Sequence, residues 1–247
     1  MYKVDFGNKK KVIVVIGCGG TGSYIIGNLA RQDYTPFLID GDVVEEKNLK
    51  RQEFFENDIN KYKSQVFGER YSLPYSTEFL DTAEDLAPLF DEEPCVPVII
   101  SAVDNNGTRA LINEMFHMEK YQDFVYIGSG NGKRNGQVYV ALKKDGEIIY
   151  ETEVVLDKAL QAVDGDNRRP TEISCAEHAN SSEQGAAQTI LANVTAGCLV
   201  SNLATNVLND GILTGNKFSF DCNFVNFKTE TVTPQGLEWN LVFFIVV

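Results

Sequence analysis

Positive charge, long apolar runs and paired cysteines are all scarce in this sequence. Lys and Arg together number 22 against 35 Asp and Glu, a net charge of −13. A chain this acidic repels nucleic-acid phosphates, so no nucleic-acid binding is expected. The same charge suits either an ordinary solvated surface or a basic protein partner. Residues 1–11 hold no apolar run of signal-peptide length. No stretch approaches the roughly 18 apolar residues of a membrane span, and no membrane association is expected. The five cysteines, Cys18, Cys95, Cys175, Cys198 and Cys222, are odd in number and widely spread. That argues against a disulfide framework and for a reducing, cytoplasmic setting. Internal repeats and low-complexity segments are also absent.

What is present is an ordinary globular composition, 43% hydrophobic and 23% charged, with ample material for a core. The length fits one large α/β domain or one domain with a small appendage, and residues 1–247 read as a single domain. Residues 11–16 (KVIVVI) form a short β-branched run, the mark of a buried parallel strand. A glycine loop follows over 17–22. A helix is predicted over 23–31, with Ile25, Ile26, Leu29 and Ala30 on its inner face, and a second strand over 37–40. Further alternation follows: helix over 59–71, strand over 97–102, helix over 106–118 and strand over 124–127. The pattern predicts a doubly wound, Rossmann-like α/β fold with a mostly parallel sheet.

After Gly128 the pattern changes. Residues 137–142 and 147–155 alternate as antiparallel strands would, and 217–247 read as terminal strands. The polar segment 157–180 reads as a mobile loop. A long helix is expected over about 182–208, with Ser182 as its cap. Its apolar residues Ala187, Ile190, Leu191, Val194 and Cys198 recur at helical spacing.

Gly17-Cys18-Gly19-Gly20-Thr21-Gly22 lies between a strand and a helix. Glycines allow a tight turn and close approach of a phosphate, and the helix start offers N–H donors and a positive dipole end. Asp40 ends the second strand, where an acid accepts hydrogen bonds from ribose hydroxyls. A nucleotide site is therefore expected at Gly17, Gly19, Gly20, Gly22 and Asp40. The loop alone serves NAD as well as ATP, so an NAD-dependent oxidoreductase stands as an alternative.

The segment from Asp40 to Gln52 discriminates. It reads Asp40-Gly41-Asp42, then Asn48-Leu49-Lys50-Arg51-Gln52. With Asp58-Ile59-Asn60-Lys61-Tyr62-Lys63 and Ser101-Ala102-Val103-Asp104-Asn105 following in order, it closely resembles the ThiF/MoeB/ubiquitin-activating superfamily over about residues 11–228. The resemblance implies transfer of AMP from MgATP to the C-terminal carboxylate of a ubiquitin-like or sulfur-carrier protein. Asp42 and Asn48 would join the nucleotide site, Lys63 would be the phosphate-binding lysine and Asp104 the Mg²⁺ ligand.

The residue chemistry agrees. Arg51 can fork onto phosphate oxygens and Lys63 supplies a point charge. Asp104 follows a buried strand at the ligand-binding edge of the sheet, and Mg²⁺ favours carboxylate oxygens. Taken singly, Arg51 and Lys63 are also what a solvated surface offers, Asp104-Asn105 what a helix N-cap needs, and Asn48 what a turn needs. The ordered combination is what points past these.

Shorter segments narrow the resemblance further. Gly130-Asn131, Gly136-Gln137-Val138, Ser174-Cys175-Ala176-Glu177, Phe224-Val225-Asn226-Phe227 and Val232-Thr233-Pro234 resemble the ThiF-like protein of PRTRC plasmid gene clusters. That implies a β-grasp partner. The superfamily habit also implies a homodimer, for which the apolar face of the 182–208 helix and the Phe-rich tail offer surface.

Two departures stand out. Many bacterial members hold zinc with two Cys-x-x-Cys pairs; this chain has none, and Cys175-Ala176-Glu177-His178 is half a ligand set, so no zinc is expected. Many also lend an arginine from an N-terminal helix to the other subunit. Only ten residues precede the first strand here and none is arginine, which leaves Arg168 or Arg169 as substitutes or leaves a nucleotide-binding scaffold without adenylation as an alternative. Related enzymes carry an acyl-accepting cysteine in a crossover loop, and Cys175 stands at a comparable place. Its thiolate would be favoured by a helix start and by His178; the other reading is an inert loop thiol.

Overall fold

The computed structural model describes residues 1–91, 94–157, 188–234 and 236–238. The first half holds β1 (Tyr2–Lys3), β2 (Lys10–Ile16), α1 (Gly20–Ala30), β3 (Phe37–Ile39), α2 (Lys63–Tyr71), β4 (Tyr75–Ser76), β5 (Cys95–Ser101) and α3 (Asn106–His117). The second holds β6 (Phe124–Asn131), β7 (Asn135–Lys144), β8 (Glu147–Tyr150), α4 (Glu153–Leu156), α5 (Ile190–Leu208), β9 (Ile212–Leu213), β10 (Lys217–Asp221), β11 (Asn226–Thr233) and β12 (Gly236–Glu238). Three 3₁₀ turns lie at Glu46–Asn48, Glu56–Asp58 and Ala83–Leu89.

The main sheet runs β12-β11-β10-β7-β6-β5-β2-β3-β4, with β8 also paired to β7. Strands β2 to β6 pair in parallel, and β7 onward pair antiparallel. This is the mostly parallel, doubly wound sheet with antiparallel C-terminal strands that the sequence pattern predicts. β2 sits between β3 and β5, so strand order reverses on either side of it. Open α/β sheets bind ligands at that reversal, beyond the carboxyl ends of the strands.

The all-apolar runs divide between the two faces with period two. Ile13 and Val15 of β2 join Val98 and Ile100 of β5 in a core cluster with Ile25, Ile26 and Leu29 of α1 and Val200 of α5. Val14 and Ile16 join Ile99 in the opposite cluster, with Ile112 and Phe116 of α3 and Leu86 of the third 3₁₀ turn. Neither face of the parallel region meets water, which is why these strands do not alternate in polarity.

Three expectations change. Residues 147–155 are not one strand: β8 ends at Tyr150 and α4 starts at Glu153, because Glu153 turns inward to a buried arginine. Helix α5 is capped by Thr189, whose hydroxyl accepts from the Ala192 N–H at 3.3 Å; Ser182 lies outside the described residues. The buried face of α5 is also rotated from the expected one. Ile190, Leu191 and Cys198 are exposed, while Ala192, Ala196, Gly197, Val200, Ala204 and Val207 are buried. Small residues decide this: a Cβ on Gly197 would lie 2.7 Å from Tyr24 Cβ, so α5 lies directly against α1. The small-residue face is consumed within the subunit, while Ile190 and Leu191 of the expected face stay exposed.

By length and composition α5 could cross a membrane, with mean hydropathy 1.3 over its window. This revises the expectation that no stretch is long and apolar enough. Half of that window is buried inside the protein, as a core helix requires.

Candidate active site

Three strand ends are level. Ile16 of β2 pairs with Ile39 of β3 and with Ser101 of β5. The glycine loop, the Asp40 segment and the Asp104 segment therefore leave the sheet side by side. Gly17 adopts φ +89°, and a Cβ there would sit 2.8 Å from the Ala102 carbonyl oxygen. At Gly22 a Cβ would lie 1.8 Å from the Gly17 oxygen. No other residue fits these two positions, so the loop turns tightly against β5 and delivers α1 three residues earlier than periodicity predicts. Gly19 is the N-cap of α1, no side chain caps that end, and the first turn has no acid. Its N–H groups and dipole suit an anion.

Asp40 is buried. Its Oδ2 accepts from the Cys18 N–H at 2.6 Å and its Oδ1 from the Asp42 N–H at 2.8 Å. The carboxylate thus fastens the glycine loop to the end of β3. Burial pushes its pKa above the ordinary carboxylate range; Lys63 and the two N–H donors offset this only in part. The same burial, with the charge of Asp40, raises the Cys18 thiol well above its ordinary value. Asp42 is the more open acid of the pair. Its Oδ2 accepts from Lys63 Nζ at 2.6 Å, and Lys63 begins α2.

Asn48 is buried and its Oδ1 accepts from the Glu45 N–H at 2.8 Å. It shapes the turn that carries Arg51. The Arg51 side chain is half-buried and makes no ion pair among the described residues. Its neighbour Gln52 lies over the loop, about 3.9 Å from where a Gly19 Cβ would be, with Oε1 buried and without a hydrogen-bond partner among the described residues. Asn193 of α5 donates from Nδ2 to the Arg51 carbonyl at 3.1 Å.

Asp104 is exposed, and Asn105 is the N-cap of α3, accepting from the Thr108 N–H at 2.8 Å. Capping thus falls to Asn105 and leaves the Asp104 carboxylate at the surface of a cavity of about 510 Å³. Arg109, Tyr139, Glu153 and Lys228 also line it. Arg109 is buried and donates to Glu153 Oε1 at 3.0 Å and to the carbonyls of Val103 and Ser129 at 2.7 and 2.9 Å. The Tyr126 hydroxyl donates to the same Glu153 oxygen. Gly128 leaves room for it, since a Cβ there would lie 2.4 Å from Glu153 Oε1. Cys175, His178, Arg168 and Arg169 lie outside the described residues.

The structure thus brings Gly17, Gly19, Gly20, Gly22, Asp40, Asp42, Asn48, Arg51, Lys63 and Asp104 to one edge of the sheet. The ThiF family profile matches residues 8–236. The chain belongs to the ThiF family. Its fold is that of several solved ThiF-like structures. E. coli MccB with ATP superposes with TM-score 0.64 at 18% identity, covering 93% of this chain and 64% of MccB. MccB with AMPCPP and MccA gives 0.63 at 18%, with the same coverage. Selenomethionine-labelled PaaA gives 0.63 at 17%, covering 93% of this chain and 65% of that one. This ThiF-family chain therefore spans less than two thirds of the length of MccB and PaaA. A comparison with curated proteins gave no match.

Among the described residues no three His, Cys, Asp or Glu cluster as a protein-only metal cage would. Mg²⁺ needs no such cage: it keeps several waters and takes one or two carboxylates plus substrate phosphates. The exposed Asp104 carboxylate fits that pattern.

Sequence reasoning missed Asn193 and the Arg109–Glu153–Tyr126 group, and marked Asn131 only as part of a resemblance. The one available signal was an asparagine amid the small and apolar residues of the predicted long helix. For Arg109 and Glu153, 44 positions apart, spacing offers no signal.

Proposed function

We propose that this chain is an ATP-dependent adenylyltransferase acting on the C-terminal carboxylate of a small ubiquitin-like or sulfur-carrier protein of β-grasp fold, within one domain spanning residues 1–247. The observation that carries this reading is the level exit of the glycine loop, Asp40-Gly41-Asp42 and Asp104 beside the Arg51 turn. The likeness to MccB, solved with ATP or AMPCPP and with MccA, supports both the nucleotide and a peptide or carrier-protein partner. The PRTRC-like C-terminal segments support the β-grasp choice.

In this reading a carboxylate oxygen attacks the α-phosphorus of ATP. The bond to the bridging oxygen of the β-phosphate breaks and pyrophosphate leaves. The carboxylate is already ionised at neutral pH, so no general base is needed. The work is positioning and charge stabilisation. The start of α1 receives phosphate oxygens, Asp40 holds the loop that presents them, and Asp42 lies open to the ribose hydroxyls. Arg51 forks onto phosphate and Lys63 adds a point charge. Asp104 would hold Mg²⁺, which supplies neutralisation of phosphate charge. The cavity beyond Asp104 offers room for the carboxylate-bearing tail of the partner.

We place the protein in the cytoplasm as a homodimer. Its surface candidates are Phe224 and Val225 at the β10–β11 turn, about four-fifths exposed, and the exposed Ile190 and Leu191 of α5. In the further step of this reading the Cys175 thiolate attacks the acyl carbon of the adenylate, the acyl–phosphate bond breaks and AMP leaves.

Pyrophosphate exchange tests the function. Labelled pyrophosphate should enter ATP only when a β-grasp protein with a free C-terminal carboxylate is present. Cys175→Ala should keep that exchange and lose any thioester. Calorimetry showing tight NAD binding and no ATP binding would overturn the reading.

A further inference from the structure

Asn193 is fully buried near the start of α5, yet it touches three parts of the site. Its Nδ2 donates to the Arg51 carbonyl at 3.1 Å, and its Oδ1 accepts from Asn131 Nδ2 at 2.7 Å. Asn131, the last residue of β6, in turn accepts at Oδ1 from the Thr21 hydroxyl at 3.1 Å. Thr21 lies in the first turn of α1. A Cβ on Gly20 would meet Asn193 Nδ2 at 2.6 Å, so the glycine loop is cut to fit this amide.

The direction of the chain is fixed by chemistry. A backbone carbonyl only accepts, so the group facing Arg51 must be the NH₂ of Asn193. Its oxygen then faces Asn131, whose NH₂ must point to it and whose oxygen is left for Thr21 and, at 3.5 Å, for Gln188 Nε2. Every donor points the same way, from α1 through β6 and α5 to Arg51. Hydrogen bonds in series polarise one another and hold a single arrangement. The turn is tied elsewhere too: the Arg51 and Gln52 N–H groups bond the Asn48 carbonyl at 3.2 and 3.1 Å, and the Glu53 N–H bonds Ser23 Oγ at 3.3 Å. The Asn193 bond is the one that holds the Arg51 carbonyl itself.

We infer that Asn193 is a positioning residue: its amide fixes the Arg51 backbone against the glycine loop, so that the guanidinium is set over the phosphates that the start of α1 receives. This rests on the proposed nucleotide reading. A phosphate fork works only when its geometry is held within a fraction of an ångström, and the Asn193 amide holds the backbone from which the Arg51 side chain springs.

The test is a double-mutant cycle on MgATP affinity, measured by calorimetry on the full chain. Asn193→Asp keeps the shape and the acceptor toward Asn131 but places an oxygen against the Arg51 carbonyl. It should weaken MgATP about tenfold. Arg51→Ala should also weaken it, and adding N193D to R51A should do little more, because the misplaced guanidinium is already gone. A structural role would instead lower affinity equally in both backgrounds. Asn193→Ala, which leaves a void rather than a charge, is the second variant in the same cycle.

Additive effects, or an unchanged affinity in N193D, would overturn the inference and leave the function standing. Failure of both Asn193 variants to fold would make the residue structural and overturn it too. Unaltered affinity in R51A alone would sink the phosphate role of Arg51. No MgATP binding by the unaltered chain would sink both readings.

Discussion

Lys63 Nζ lies 2.6 Å from Asp42 Oδ2, and the lysine side chain is 10% exposed against 47% for the acid. A pair open on one side contributes on the order of 0–1 kcal/mol to stability. In the proposed reading its place at the end of β3 and the start of α2 serves phosphate binding. Lys63→Met should therefore change unfolding free energy by less than about 1 kcal/mol while weakening MgATP tenfold or more. A large loss of stability with normal ATP affinity would reverse that assignment.

Arg51→Ala and Asp104→Ala address the chemical step. In the proposed reading both groups act on charge that builds during AMP transfer, and losing one such group costs on the order of 10²-fold in rate. Exchange assays should show that loss with the circular dichroism spectrum intact. Normal exchange in either variant removes that residue from the site.

Asp40 gives a pH signature. Burial raises its folded value above the unfolded one. Its contribution to stability is then fully present below the ordinary carboxylate pKa and is lost as pH rises through the raised value. Asp40→Asn has no such titration. The stability of the native chain relative to D40N should therefore fall as pH rises across that window, in urea unfolding at stepped pH. A rising difference would mean that Lys63 and the two N–H donors outweigh burial.

Arg109 and Glu153 form a buried pair, and removing one partner leaves an unpaired charge. Glu153→Ala should destabilise by roughly 3–5 kcal/mol, read by urea unfolding. Glu153→Gln, which keeps an acceptor for Arg109 and Tyr126, should cost less. A loss under about 1 kcal/mol in E153A would show that Arg109 is satisfied by the Val103 and Ser129 carbonyls alone.

The parallel strands were legible because buried parallel strands are apolar on both faces, so β2, β5 and β6 stand out as runs. The glycine loop was legible because its backbone demands glycine whatever the surroundings. The face of α5 was not, since large apolar residues mark a helix face more loudly than Ala192, Ala196 and Gly197 do, and here close approach to α1 outweighed size. Asp40 was legible as a site residue but not in its detailed role: periodicity places it at a strand end, while only the fold shows both oxygens engaged by backbone donors. Pairings such as Asn193 with Arg51 span too much sequence for any local pattern to report them.

Strand β1 pairs with β9, Tyr2 opposite Leu213 and Lys3 opposite Ile212. β1 is thus made long before the partner it pairs with. At 5–20 residues per second, β1 waits roughly 10 to 40 s before β9 exists. Over that interval the glycine loop, β2, β3 and β5 can already pair. β1 then docks with β9 as a two-stranded sheet apart from the main one, so its pairing follows the parallel strands rather than starting the fold.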